Sequence, residues 1–495
     1  MMSGARMFLG LLLVLTALLV PAPVLGAADE TPDLPHEEWM AIFLQGQRVG
    51  YVHGNAWREE DVVVSRTRTK LTLRRYGTDV TMRMEALFRE RVDGTPLSFS
   101  TMQKTSGMEI RTEGTISDGT LNLVITQGGR RREKAVEWDA ETLFPYAIEQ
   151  KTRALELERG AEFTVKAFSP EVSTTEPVEV TLTVIGPEAV DVLGVTHDAI
   201  KVEMRISKLP NIVETTWVDS DHNVLVMTMP LMDFRLVRCT KAYALAKVEP
   251  AELAAAVMVK PDKPLPRVAK LKRLVVKLSM VDGSPFAVEL PSEGHQRVVE
   301  RTKESTTIEI SPALTKTEEK DLEQYLAAST YVDCEDERII AAAREAVGDE
   351  TDPWRKAQRL RRAVHELIDE KSFGVAMGGA SEVIETKEGD CTEHAVLLAA
   401  MARVEGLPSR GVSGLMYIYG RFGYHMWTQV YVDGAWRDVD AVLPGRDFDA
   451  GHIRLSTSAL GDDDSLVDLA AFAAVFGNLK IEVVEREYVG QKEEE

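Results

Sequence analysis

"EGDCTEHAVLLAAMARVEGLPSR", residues 388–410, decides how the C-terminal third of this chain is read. Ala395, Leu398, Ala399 and Met401 give the segment after Cys391 an apolar, helix-forming character, and Gly406 and Pro408 end it. A largely buried helix is therefore expected to begin at or just before Cys391. A thiol at that place meets the positive end of the helix dipole and its unpaired N–H groups. Such a setting stabilises thiolate and can bring a cysteine pKa from ~8.5 into the range of roughly 3.5–7.5. The same N–H groups could hold an oxyanion. A lone cysteine at a helix start is more often structural, so the reading needs partners.

A nucleophilic thiol needs a base, and the base needs an orienter. "YHMWTQVYVDGAWRDVDAV", residues 424–442, has a β-hairpin pattern: alternating residues, a two-residue Asp433-Gly434 turn, then alternation again. With that turn Val432 faces Ala435, and counting back sets Trp427 opposite Asp440. Parity puts His425, Trp427, Asp438 and Asp440 on one face. Asp440 is then the diagonal neighbour of His425, ~7–8 Å away between backbones and within reach of an inward-leaning carboxylate. Asp440 is the expected orienter and Asp438 the fallback. His394 lies near the helix face of Cys391, but a base on the same helix is poorly placed to approach the sulfur across a cleft. It is read as a supporting or core group, and Glu393 as a charge at the helix start.

The whole chain sets bounds on this chemistry. At 495 residues two or three domains are expected. The 79 acidic against 58 basic residues give a formal charge of -21. Such a chain repels phosphate backbones and anionic lipid surfaces, which argues against a nucleic-acid partner. Residues 1–28 read as a signal peptide: Arg6 is the positive n-region, Phe8 to Val20 is apolar but short for a span, and "PAPVLGAAD" offers a cleavage site. The mature protein is expected to be periplasmic or secreted, with no stable membrane insertion after cleavage. Export changes how Cys239, Cys334 and Cys391 are read. Were Cys239 and Cys334 bridged, Cys391 would be left as the thiol.

Residues 29–248 read as an antiparallel β domain, curved or half-closed, from recurrent alternating runs separated by turns such as Asp118-Gly119 and Gly128-Gly129. "WDAETLFPYAIEQKTRAL", residues 138–155, is a helical interruption. Residues 249–315 read as a Pro-rich linker and a small β module. From 316 the pattern turns helical. Asp333 is the expected N-cap of a helix whose first turn holds Cys334. Trp354, Ala357, Leu360, Val364, Leu367 and Ile368 share one face of the next helix, which also carries His365.

"GDCTEHAVLLAAMARVEGLPSRGVSGL" followed by "HMWTQVYVDGAWRDVDA" resembles the transglutaminase-like superfamily. The order matches: Cys391 on a helix, the Gly406 to Arg410 turn, His425 with Trp427 on a strand, then Trp436 with Asp440 four residues on. The resemblance covers about 316–485, including "ASEVI" before the cysteine and "GHIRLS" after the hairpin, and the domain it implies is taken as 316–495. It implies an α+β fold: a C-terminal papain-like, transglutaminase-like domain preceded by the β-rich domain. It also implies a triad with Cys391 as nucleophile, His425 as base and later acid, and Asp440 as orienter. Animal members use an upstream tryptophan for the oxyanion; the nearby candidate here, Trp354, falls in a packing helix. The implied activity is a thiol hydrolase or acyltransferase acting on peptide or side-chain amides through a thioester, without metal or cofactor and with a protein or peptide as substrate. Transamidation, which crosslinks glutamine to an amine, and a degenerate peptide-binding module are the competing expectations.

Overall fold

The computed structural model describes residues 34–489 apart from 76–77, 106–107, 128–129, 155, 171, 208–212, 230–232, 253–257, 370–377, 444–448, 462–474 and 476. The expected signal peptide, residues 1–28, lies outside the described residues, as does the Gly128-Gly129 turn. The chain divides into two compact units after Glu252.

The first unit is built on a fifteen-stranded sheet. Its first strand, His36–Leu44, lies between Gln47–Glu59 and the late strand Phe234–Arg238. Hairpin after hairpin then extends the sheet on the Gln47–Glu59 side as far as Arg130–Glu137, and on the other side to Glu162–Ala167. Period-2 patterning drives this: in Val62–Arg75 the residues Ser65, Thr67, Thr69, Leu71 and Leu73 are buried while Arg66, Arg68, Lys70, Thr72 and Arg74 between and beside them are half-exposed. Asp118 and Gly119 both take positive φ (50° and 72°), the conformation a tight two-residue hairpin requires. The helical interruption is shorter than its sequence pattern. It runs Pro145–Arg153, because proline fits the first turn of a helix and not its interior. Its N-terminus is held from outside: the Glu90 carboxylate accepts the N–H groups of Tyr146 (2.8 Å) and Ala147 (3.0 Å). Phe88, Phe99, Phe144 and Phe168 pack beside it as an aromatic cluster.

The second unit combines two sheets and a helical layer. One sheet has the order Gly294–Arg301, Ser305–Thr315, Leu271–Met280, Leu479–Tyr488, so strands upstream of the helices pair with the last strand described. The other runs Met258–Val259, Arg421–Val432, Ser409–Ile418, His452–Ser458, with Ala435–Val439 added on the Arg421–Val432 strand. Helices Glu337–Val347, Pro353–Leu367, Ala380–Thr386 and Cys391–Val404 share one apolar core with the second sheet. Ala357, Leu360 and Val364 are fully buried there, as the helical spacing predicts, and Trp354 packs at the margin under the Arg437 guanidinium. The expected cap of the first of these helices is corrected. Asp336, whose side chain accepts the N–H of Arg338 at 2.8 Å, is the N-cap, and Cys334 precedes the helix. Asp333 comes too early because Cys334 and Glu335 still form a turn. The protein is therefore α+β, with a large antiparallel sheet followed by a unit of two sheets and a helical layer.

Candidate active site

Cys391 opens its helix. Asp390 is the N-cap, its side chain accepting the Thr392 N–H at 3.1 Å, and Glu393 closes a capping box by accepting the Asp390 N–H at 2.8 Å. Glu393 does more than supply charge, since its other oxygen accepts the Gly378 N–H at 3.1 Å and ties down the incoming loop. The helix is buried from Cys391 to Arg403, which the run of alanine, leucine and methionine leads one to expect. None of the three cysteines is in a disulfide. Burial pushes the Cys239 thiol up to about 11, which suits a packing role.

The hairpin has the register its turn dictates. Val432 pairs with Ala435 and Thr428 with Val439, and Asp433 and Gly434 take φ of 55° and 77°. The ladder to Ala435–Val439 starts only at Thr428, so the His425 end of the strand stands clear of that partner. There the Cys391 sulfur accepts the backbone N–H of Met426 at 3.1 Å. The thiol is thereby fixed beside the residue that follows His425.

His425 Nε2 lies 2.8 Å from Asp440 Oδ2. Oδ1 of the same carboxylate accepts the Val442 N–H at 2.8 Å, so the acid is held by its own chain just past the strand end. Burial alone would push Asp440 up. The charge and hydrogen bond of His425, joined by those of His452, outweigh it and hold Asp440 well below the usual carboxylate range. Cys391 and His425 are each 3% exposed and Asp440 is 8% exposed.

Asp438, the fallback orienter, shares the face but has other partners. Its Oδ1 accepts from Trp427 Nε1 (2.7 Å) and Gln429 Nε2 (2.9 Å), while Oδ2 meets His295 Nδ1 (2.9 Å). Burial raises it, but the Arg454 guanidinium and these hydrogen bonds hold it low. It locks the Trp427 indole, which stacks 5.9 Å from the His425 ring. His394 turns back on its own helix, with Nδ1 at 2.5 Å from the Asp390 carbonyl, and burial lowers its pKa. His365 meets the Ala441 carbonyl at 3.0 Å. The Gly406 to Arg410 turn ends the helix with Gly406 at φ 71°, and it sends Arg410 over the Trp436 ring, 4.0 Å from its centroid.

Sequence reasoning missed His452. It sits at the start of His452–Ser458, with Nε2 3.4 Å from Asp440 Oδ2 and Nδ1 3.4 Å from Asp449 Oδ1. The one signal available was its place in "GHIRLS". Burial opposes its charge, yet the two carboxylates raise its pKa to about 10. Potential ligand atoms of His425, Asp440 and His452 lie within 4.8 Å of one another. Both imidazoles turn a nitrogen to Asp440, so hydrogen bonding to one carboxylate brings the three side chains together.

Residues 340–441 match the model of the transglutaminase-like superfamily. No curated protein sequence matches the chain. Among solved structures it is similar to a candidate cysteine protease from Cytophaga hutchinsonii, at 17% identity over 45% of this chain and 92% of that one, with a TM-score of 0.31. It is also similar to a beta-barrel-like protein of a domain of unknown function from Brucella abortus, at 14% identity over 41% and 94% of the two chains, with a TM-score of 0.28. A candidate protease from Parabacteroides distasonis is similar at 12% identity over 68% and 64%, with a TM-score of 0.19. The family match thus likens residues 340–441 to the transglutaminase-like superfamily, whose members are typically cysteine enzymes.

Proposed function

We propose that this chain is an exported cysteine-dependent amidohydrolase or peptidase in which Cys391, His425 and Asp440 form the reacting set. One observation carries the reading: a sulfur at a helix N-terminus is hydrogen-bonded to the Met426 N–H, directly after a histidine that is itself paired with a buried aspartate. Nε2 of His425 is engaged by Asp440, and in this reading Nδ1 serves the thiol.

In this mechanism the Cys391 thiolate attacks the carbonyl carbon of a peptide or side-chain amide. His425 gives its proton to the departing nitrogen as the C–N bond breaks, leaving a thioester on sulfur and a free amine or ammonia. Water then attacks the thioester, His425 takes its proton, and the C–S bond breaks to release the acid. A primary amine in place of water would give transamidation instead. Asp440 keeps the imidazole in one tautomer and orientation throughout. The export assignment rests on the pattern of residues 1–28, and the compartment it implies is the periplasm or the exterior.

The test is to offer the full mature chain a glutamine peptide and a set of unmodified peptides, with and without a primary amine, using Cys391→Ser as control. Cys391-dependent release of ammonia or of new amino termini, without amine incorporation, is expected. Amine incorporation would shift the assignment to transamidation. A thiol that reacts like an ordinary surface cysteine, with no turnover of any kind, would leave only a peptide-binding module.

A further inference from the structure

Asp440 serves two imidazoles with one oxygen. His425 approaches Oδ2 from its strand, and His452 approaches the same atom at 3.4 Å from the start of another. Behind His452 stands Asp449, whose Oδ1 is fixed by the Gly451 N–H at 2.9 Å and lies 3.4 Å from His452 Nδ1. The row Asp449, His452, Asp440, His425 therefore alternates in charge when both rings are protonated. Its members are 6%, 2%, 8% and 3% exposed, so water screens little of the interaction. The edge of the His452 ring meets the Trp427 indole at 5.2 Å between centroids and 79° between planes. Trp427 is itself pinned by Asp438, which accepts its indole N–H at 2.7 Å.

Among the described residues, groups from several elements face His452. The hairpin contributes Asp440, His425 and Trp427, and the turn before its own strand contributes Asp449. The adjoining strand sets Met416 opposite it. On the Cys391 helix, His394 feels the same Asp440 charge while its Nδ1 is turned to the Asp390 carbonyl.

We propose that His452, clamped between Asp449 and Asp440, is a positioning residue that holds the Asp440 carboxylate on its line to His425. This rests on the reading of Cys391, His425 and Asp440 as the reacting set. The physical need is clear. A buried carboxylate with a single imidazole partner must carry its charge with little solvent to help, and each turnover discharges and recharges that partner. A second imidazole, held toward its charged form by Asp440 and Asp449, keeps Asp440 ionised and in place during the part of the cycle when His425 is neutral. It also moderates the negative field at His425, so the ring can release its proton to the leaving group instead of retaining it.

The sign of the effect follows. Taking away the His452 charge leaves Asp440 and Asp449 facing His425 without their shared cation, and His425 then holds its proton more tightly. The test uses full-length protein labelled with 15N-histidine, with ring signals assigned through His425→Asn and His452→Gln. In His452→Gln the His425 titration midpoint is expected to rise by roughly one pH unit, and the alkaline limb of the pH–rate profile to move with it. A packing role alone would lower the melting temperature and leave the midpoint in place, and that result would overturn the proposal. Should His452→Gln not fold, Asp449→Asn serves: the ring stays, and the His452 midpoint is expected to fall toward the ordinary histidine range. An unchanged His452 midpoint in Asp449→Asn would contradict the clamp. Ring titration needs no substrate, so a protein without turnover but with the shifted midpoint would defeat the functional reading and leave the clamp standing.

Discussion

His425 Nε2 and Asp440 Oδ2 lie 2.8 Å apart in the interior of the second unit, although one residue is within a strand and the other just past the end of the strand that pairs with it. The hairpin turn at Asp433 sets the register, the register brings the two chains alongside, and the Val442 N–H turns the carboxylate inward. Replacing Asp440 with asparagine keeps the shape and removes the charge. Turnover is expected to fall by about 10²–10⁴-fold, the usual worth of a positioned acid–base group, with KM little changed. Steady-state kinetics on Asp440→Asn would check this. A drop confined to KM would assign Asp440 to substrate binding instead.

Asp438 supplies the contrast. Its oxygens are taken by Trp427, Gln429 and His295, so Asp438→Asn is expected to cost stability, about 1–3 kcal/mol for a broken buried network. The pH dependence of Cys391 alkylation should stay where it is in the wild type. Thermal melting together with the alkylation profile separates the two aspartates. An alkylation profile displaced as far as that of Asp440→Asn would mean that Asp438 also orients the base.

Gly414 pairs with His425 across the sheet. A Cβ at this position would lie 2.2 Å from the Ile453 carbonyl oxygen and 2.7 Å from the Trp427 ring, so backbone and indole must both give way. Gly414→Ala is expected to destabilise the unit by about 1–3 kcal/mol and to slow Cys391 alkylation by disturbing the strand that fixes the thiol. Chemical denaturation followed by Trp fluorescence reads the first effect, and a wild-type midpoint would show that the strand can shift at no cost.

In the first unit, burial raises the Glu214 pKa to about 8 against the opposing hydrogen bond from Thr216. The unfolded chain gives up that proton near pH 4.5 and the folded chain keeps it, so the folded state binds more protons between those values. Stability is then lost as pH rises from about 4.5 to 8. Melting of the first unit should fall over this window, and Glu214→Gln, which keeps the shape without the proton, should flatten the slope. An equal slope in the variant would remove Glu214 from the account.

Most of the site could be read from the chain because its determinants are local. Apolar residues after Cys391 specify a buried helix, the Asp433-Gly434 turn fixes a register, and parity brings His425 and Asp440 together. What could not be read depends on distant partners. His295 reaches Asp438 from 143 residues upstream, and His452 reaches Asp440 from a third strand; no period or spacing encodes either contact. The sequence pattern puts this N-cap three residues early because Asp333 and Asp336 both suit the position, and only the backbone beyond Cys334 decides for Asp336. In the first unit the alternating runs gave the strands. They carried no sign that Glu90, on a strand, would cap the helix at Pro145.

The pH dependence of Cys391 alkylation is the most direct test of the central claim. Iodoacetamide labelling of the Cys391 peptide, followed by mass spectrometry in wild type and in His425→Asn, reads the thiol in place. The wild-type sulfur should react with a midpoint well below the ~8.5 of an ordinary thiol, and His425→Asn should move that midpoint up. A wild-type midpoint at or above the ordinary value, or one indifferent to His425, would contradict the account.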